Sequence, residues 1–343
     1  MHLDQFNYLL PEGLIAKHPP RNRTDARLLL FMNEVIKHKQ ISALNSVITK
    51  NDILVLNETS VIPARLFGTK ETGGKVEVML EKIIEDNRTL VQIKSSRSIK
   101  EKSSIHFMYD GQTFSATCLG RQDKFYLLKW DDDPTPIFLS FGTTPLPPYI
   151  NRATTVEDQL RYQTVYANKR LQQSVAAPTA GLHFDLPMLN ELENTGLKIR
   201  YLSLHVGAGT YTPVTSEDIT KHKMHAEEVA VDRELVQEIL SVKQQDGKVF
   251  AVGTTTLRAL EATFLDSKTE FKGSTDLFIY PGFQFKVVDY LLTNFHQPKS
   301  SLLMLVAAFI GLENLQKIYA EAIEMQYRFL SYGDAMLLER HDL

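Results

Sequence analysis

A chain of 343 residues, 43% hydrophobic and 23% charged, has an ordinary globular make-up, which excludes a disordered or fibrous protein. Its net charge of −3 lacks the basic excess of a domain that wraps nucleic acid, so any RNA contact must come from a local patch. The lone cysteine, Cys118, excludes an internal disulfide and a cysteine-ligated iron–sulfur cluster.

The opening MHLDQFNYLLPEG has no basic stretch and carries Asp4 early, unlike a secretory signal. ILVLN (53–57) is the first apolar run and reads as a buried parallel strand that ends in Asn57, Glu58, Thr59 and Ser60. From about 63 to 133 the texture changes to short alternating strands. GKVEVMLEKI (74–83) puts Val76, Val78 and Leu80 on one face, and TLVQIKSS, SSIHFMYDGQTFSATCLG and KFYLLKWDDDP continue the pattern. Asp110-Gly111 between two runs signals a hairpin. Five or six such strands predict a small barrel or sandwich. Within them KSSRSIKEK (94–102) sets Lys94, Arg97, Lys100 and Lys102 against Glu101 alone, either as a solvated loop or as a phosphate-contacting patch.

Beyond about 150 an α/β texture returns. SVAAPTAGLHF (174–184) is dense in small residues that allow close backbone approach and ends near His183. LPMLNELENTG (186–196) and RELVQEILSVKQQDG (233–247) read as helices closed by glycine. IRYLSLHV (199–206) is a second buried strand, followed by Gly207, Gly209 and Thr210; Pro213 comes too soon for a helix to open there, so this is no dinucleotide loop. His222, His225 and Glu227 in KHKMHAEE suit a metal by spacing, but no further ligand is evident; a ligand contact by His225 and a solvated polar face are the other readings. VFAVGT (249–254) is a third strand, and GTTTLR (253–258) brings three hydroxyls to the start of the helix TTLRALEATF, where free N–H groups favour an anion or threonine acts as a plain cap. VVDYLLTNF (287–295) is a fourth strand, followed by His296, Pro298 and Lys299. One long helix is predicted over 301–326, and its apolar run 302–310 is half of a membrane span.

The fold class predicted is α/β: a discontinuous main domain, 1–61 plus 150–343, with a small antiparallel β-barrel, 62–149, inserted after its first strand. Open α/β sheets bind ligands at the carboxyl ends of their strands, so four polar strand ends predict one active-site edge. A cytoplasmic protein without a membrane segment is expected.

Several of these segments resemble the S-adenosylmethionine:tRNA ribosyltransferase-isomerases. They are SVAAPTAGLHF, LHVGAGTYTPV, VGTTTLRALE, TDLFIYPGFQFKVVDYLLTNFH and YRFLSYGDAM, with FNYLLPEGLIAKHP, NETSVIPARLFG, PLPPYI and RYQTVYA, spanning Phe6 to Met336. Gln173 stands where that family usually has Gly, Ala226 where it has Ser and Gln297 where it has an apolar residue, which sets Gln173 and Ala226 apart from required groups. The resemblance implies transfer and isomerisation of the ribosyl part of S-adenosylmethionine onto 7-aminomethyl-7-deazaguanine at the tRNA wobble position. Epoxyqueuosine-tRNA, adenine and methionine would be the products. It further implies tRNAs with a GUN anticodon (Tyr, His, Asn and Asp types), no metal, no obligate protein partner and no bound cofactor, S-adenosylmethionine being a consumed co-substrate.

That chemistry needs a neutral acceptor amine, removal of a carbon-bound proton beside the sulfonium, and departure of adenine. Histidine titrates near working pH, so His183, His205, His225 and His296 are the candidate proton-transfer groups, with Glu227 as a further one. The sequence does not choose among them. Asn57, Thr179, Gly181, Gly207, Gly209, Thr210, Thr254, Thr255, Arg258 and Asn294 are candidates for holding substrate; Tyr211 and Phe295 are candidates for stacking. Lys94, Arg97, Lys100, Arg152 and Arg161 are candidates for RNA phosphate. A small-molecule enzyme without RNA and a non-catalytic RNA-binding module are the competing classes.

Overall fold

The computed structural model describes residues 1–207, 214–265 and 269–341. The chain begins with β1 (Arg27–Met32), β2 (Val35–Gln40) and β3 (Ile53–Asn57), and the short β4 (Ser60–Val61) leads away from them. Six strands follow without a helix: β5 (Arg65–Lys70), β6 (Lys75–Ile84), β7 (Arg88–Ser95), β8 (Ser104–Tyr109), β9 (Gln112–Gln122) and β10 (Phe125–Trp130). The return runs through α1 (Pro134–Phe141), α2 (Val156–Arg161), β11 (Gln172–Ser174), α3 (Leu186–Asn194), β12 (Lys198–His205) and β13 (Glu227–Val231). The remainder is α4 (Arg233–Gln244), β14 (Val249–Val252), α5 (Thr254–Leu265), β15 (Phe271–Thr275), β16 (Tyr290–Asn294), α6 (Ser301–Ile310), α7 (Leu312–Glu324) and β17 (Ala335–Glu339).

Among the described residues one sheet holds nine strands in the order β15-β13-β12-β3-β14-β16-β17-β1-β2. Its centre is parallel: Leu202 of β12 pairs with Asn57 of β3, Ala251 of β14 with Val55, and Phe250 with Tyr290 of β16. β3 and β14 are apolar up to their carboxyl ends because both faces are covered. Ile53, Val55 and Ala251 pack with α4 to α7, whereas Leu54, Leu56 and Phe250 pack with α3 and the turn 41–46. Strand alternation thus feeds two cores from one run.

The other six strands close into an antiparallel barrel, β10-β7-β6-β5-β8-β9. Closure removes the exposed edges that six short strands would otherwise present. The inward residues of β6 (Val76, Val78, Leu80) meet Phe107, Leu128 and Trp130, and α1 adds Ile137 and Phe138. Asp110 and Gly111 both have positive φ, 48° and 76°, the geometry of a tight hairpin turn.

The expected single helix over 301–326 is two helices. Gly311, at φ 84°, ends α6 and opens α7, and the pair bends by 113°. No single helix among the described residues is long and apolar enough to cross a membrane.

Candidate active site

The parallel centre brings the carboxyl ends of β3, β12, β14 and β16 to one edge of the sheet. Asn57 fastens that edge. Its Oδ1 accepts from the N–H of Leu204 and of Thr59, both at 3.1 Å, and its Nδ2 donates to the Leu204 carbonyl at 2.9 Å. Its amide is therefore spent on the scaffold rather than offered to a substrate, which corrects the expectation for this residue.

Two cavities open at the edge. The first, of about 100 Å³, is lined by Ala176 to Ala180, Val206, Gly253 to Thr255, Thr293 to Gln297 and part of the C-terminal segment, including Leu330 and Ser331. Gly253, at φ 92°, turns β14 directly into α5, so the first turn of α5 faces the cavity. N–H groups there have no intrahelical partner and favour a negative charge. Thr254 and Thr255 stand at this place, as expected; the Thr256 hydroxyl instead donates to the Val252 carbonyl at 2.6 Å.

Asn294 and His183 form the floor. The Thr179 hydroxyl donates to Asn294 Oδ1 at 3.0 Å, and Asn294 Nδ2 donates to His183 Nε2 at 3.1 Å and to the Leu330 carbonyl at 3.2 Å. Leu330 holds φ 71°, a strained value for a bulky residue, and so presents that carbonyl. An amide N–H group facing an imidazole nitrogen favours the neutral ring, with that nitrogen as acceptor. Burial pushes the His183 pKa down to about 4. His296 lines the cavity, with its backbone N–H and carbonyl both engaged and its ring contacted at Nε2. Its N–H donates to the Tyr319 hydroxyl at 2.9 Å, its carbonyl accepts from Tyr8, and Nε2 lies 3.1 Å from Thr293 Oγ1. Burial pushes it down to about 3. Phe295, expected to stack on a base, packs in the core between Tyr319, Tyr327 and Phe329.

These two imidazoles have a consequence for stability. In the unfolded chain they bind a proton near pH 6.5; in the folded chain they do so only near 4 and 3. Their contribution is whole above about pH 6.5 and is lost as pH falls toward 4, each by about 1.4 kcal/mol per pH unit. Urea unfolding of a His183→Asn, His296→Gln variant between those pH values should show a flatter decline than the parent. An identical slope would contradict this account.

The second cavity, of about 790 Å³, lies between barrel and sheet. Its walls include Glu81, Lys82 and Asp123 of the barrel and His205, Val206, Gly207, His225 and Glu227 of the sheet side. Val206 lines both cavities, so they adjoin across this residue. His205 Nδ1 lies 2.8 Å from Thr59 Oγ1, and burial draws its pKa below the ordinary value against the pull of Glu228. Lys124 of the barrel donates to His225 Nε2 at 2.6 Å; burial and then that ammonium lower the His225 pKa. Lys82 of the barrel forms an ion pair with Glu228.

The remaining expectations divide. Arg258, in the second turn of α5, forms a buried ion pair with Glu227 at the start of β13, and burial brings its pKa down to about 10. Neither residue is thereby offered to methionine or to a metal, and among the described residues no three His, Cys, Asp or Glu side chains gather as a metal site. Gly181 serves packing: a Cβ there would stand 1.9 Å from the Tyr166 hydroxyl. Gly209, Thr210 and Tyr211 lie outside the described residues.

Of the basic candidates, Arg152 and Arg161 are internal staples. Arg152 forks onto the buried Asp158 at 2.6 and 2.7 Å and donates to the Lys17 carbonyl at 2.8 Å; Asp158 also accepts from Tyr332. Arg161 donates to the Pro20 and Arg21 carbonyls at 2.6 and 3.1 Å. Lys94, Arg97 and Lys100 are exposed, but Leu90 is the β7 residue at the cleft. Lys94 stands four residues farther along that strand, about 13 Å away at ~3.3 Å per residue. The cleft has other cations: Lys169 and Arg170 are exposed on its wall beside Gln172 and Gln173. A signal existed for them, since no acidic residue occurs between Asp158 and Asp185. Gln173 and Ala226, set apart above, also line this cleft.

The chain is similar to known proteins over nearly its whole length. A profile of the family described as queuosine biosynthesis protein matches residues 3–338. The S-adenosylmethionine:tRNA ribosyltransferase-isomerase of Polynucleobacter necessarius subsp. necessarius is 48% identical, over 99% of this chain and 98% of its own. That of Vesicomyosocius okutanii subsp. Calyptogena okutanii is 46% identical, over 100% and 99%. The crystal structure of S-adenosylmethionine tRNA ribosyltransferase from Thermotoga maritima superposes with a TM-score of 0.56 at 32% identity, covering 97% of this chain and 99% of that one.

Proposed function

The chain belongs to the queuosine biosynthesis protein family, and from that membership we propose that it transfers and isomerises the ribosyl moiety of S-adenosylmethionine onto tRNA. The acceptor is 7-aminomethyl-7-deazaguanine at the wobble position, and the products are epoxyqueuosine-tRNA, adenine and methionine. The observation that carries this reading is the junction of two unlike cavities at Val206. The first is a narrow pocket that ends at the amino end of α5 and suits the amino-acid end of a small molecule, and the second, of about 790 Å³, is wide enough for a nucleotide extruded from an anticodon loop.

S-adenosylmethionine occupies the first cavity, with its carboxylate at the amino end of α5 beside Thr254 and Thr255. The modified base enters by the cleft, so the ribosyl carbon and the acceptor amine meet at Val206. The substrates are tRNAs of the GUN-anticodon class. No resident cofactor takes part, because the sulfonium itself acidifies the neighbouring carbon and S-adenosylmethionine is consumed. Of the four histidines, His205 is the one placed beside the junction with a lowered pKa and an oriented ring. It is the general base of this account. Labelled S-adenosylmethionine and a wobble-modified anticodon stem-loop test the reading: adenine should appear only when both are present. Adenine release with the free base alone would favour a small-molecule enzyme.

Lys169 and Arg170 carry the phosphate contacts at the cleft. Reversing both to glutamate should weaken stem-loop binding and flatten its salt dependence by ~0.7–0.9 in slope for each phosphate no longer neutralised. Reversing Lys94, Arg97 and Lys100 together should do less. Filter-binding titrations at several salt concentrations check this, and the opposite ranking would return the RNA surface to the far end of the barrel.

A further inference from the structure

One barrel residue reaches the junction by an irregularity of its strand. In the β6–β7 pair Leu80 stands opposite Val91 and Lys82 opposite Leu90, which leaves Glu81 as an extra residue in a β-bulge. Bulges re-aim side chains and are frequent beside active sites. Here the bulge puts Glu81 on the cleft wall. Its carboxylate lies against Gly207, the residue after Val206: a Cβ built on Gly207 would stand 2.3 Å from Glu81 Oε1. Glycine at 207 is what permits the approach. Glu81 Oε2 is closed off from solvent. The charge of Glu81 also favours the protonated form of Lys124, so the two groups share one region of the cleft.

We propose that Glu81 receives the aminomethyl group of the acceptor base and takes the proton that this amine must lose before it attacks the ribosyl carbon. The proposal rests on the acceptor read above. An aliphatic ammonium, with a pKa of about 10.4, is charged at neutral pH and has no lone pair to donate. In contact with Glu81 it gives one proton to the carboxylate, leaving a neutral amine and a neutral carboxylic acid. His205 remains for the separate proton beside the sulfonium. The barrel thereby supplies a reacting group to a site otherwise built by the sheet.

The test is adenine release by the full-length Glu81→Gln and Glu81→Asp proteins, with S-adenosylmethionine and the modified stem-loop, from about pH 6 to about pH 9. S-adenosylmethionine binding and thermal unfolding are followed alongside. Glu81→Gln should lose ~10²–10⁴-fold in turnover at neutral pH. Its deficit should shrink about tenfold per pH unit as solvent supplies the neutral amine. Glu81→Asp should retain more activity than Glu81→Gln, and both should bind S-adenosylmethionine as the parent does. Parental turnover in Glu81→Gln, a deficit that stays constant with pH, or a parallel loss of S-adenosylmethionine binding overturns the proposal. Absence of adenine release by the parent protein sinks the reaction itself, and this proposal with it.

Discussion

Replacing His205 by glutamine is expected to cost ~10²–10⁴-fold in turnover, with binding of S-adenosylmethionine and tRNA close to that of the parent. The argument is geometric first. His205 ends β12, one residue before the point shared by both cavities, whereas His183 lies under the floor and His296 is fastened to Tyr319, Tyr8 and Thr293. His225 is on the cleft but engages Lys124. Thr59 holds Nδ1 of His205, which fixes the ring and leaves Nε2 for proton transfer. Electrostatics agree in sign. A base works in its unprotonated form, and burial lowers the pKa of His205, so the acid limb of the rate profile should fall below the ordinary histidine range. Thr59→Val should retain more activity than His205→Gln, because it frees the ring without removing the base. Steady-state adenine release against pH measures all of this; parental turnover in His205→Gln would remove the residue from the mechanism.

Replacing Arg258 by methionine is expected to destabilise the fold by ~3–5 kcal/mol, since it leaves the buried Glu227 carboxylate without its guanidinium. Such a pair gains less over an apolar one than its breakage costs, so Arg258→Met combined with Glu227→Met should recover most of the loss. Turnover per folded molecule should fall less than in His205→Gln, because the pair chiefly ties α5 to β13, although Glu227 also borders the cleft. Urea titrations of the single and double variants measure the cycle. A single-variant loss under ~1 kcal/mol would place the pair in the weak class of exposed salt bridges.

The legible parts of this fold were those where one physical pressure acts alone. ILVL (53–56) and VFAV (249–252) are apolar at every position because the sheet is covered on both faces, and such runs are read without a partner in view. β1, β13 and β17 are equally short but were not singled out, since a brief apolar run does not distinguish strand from buried helix. The 301–326 helix hid its break because Gly311 costs little in a helical pattern until its positive φ is seen.

In the site, the residue types pointed to the sheet edge at which the two cavities open, but not to each side chain's neighbours. Asn57, Arg152 and Arg258 are polar groups that resemble ligands in sequence and are spent on neighbours remote along the chain. One of them was foreseeable: Thr155 and Asp158 form the capping box of α2, which places a buried carboxylate six residues from Arg152. Glu81 was not. In an alternating strand a glutamate reads as outward-facing, and a bulge leaves no mark in composition or period.

The central claim is that S-adenosylmethionine and the modified base approach each other from separate cavities that adjoin at Val206. A structure of the protein with S-adenosylhomocysteine and a wobble-modified anticodon stem-loop tests it most directly. The account predicts the amino-acid carboxylate at the amino end of α5 in the first cavity and the extruded base in the cleft, its aminomethyl group at Glu81 and beside Gly207. Both ligands in one cavity, or the base bound away from the barrel–sheet cleft, would contradict it.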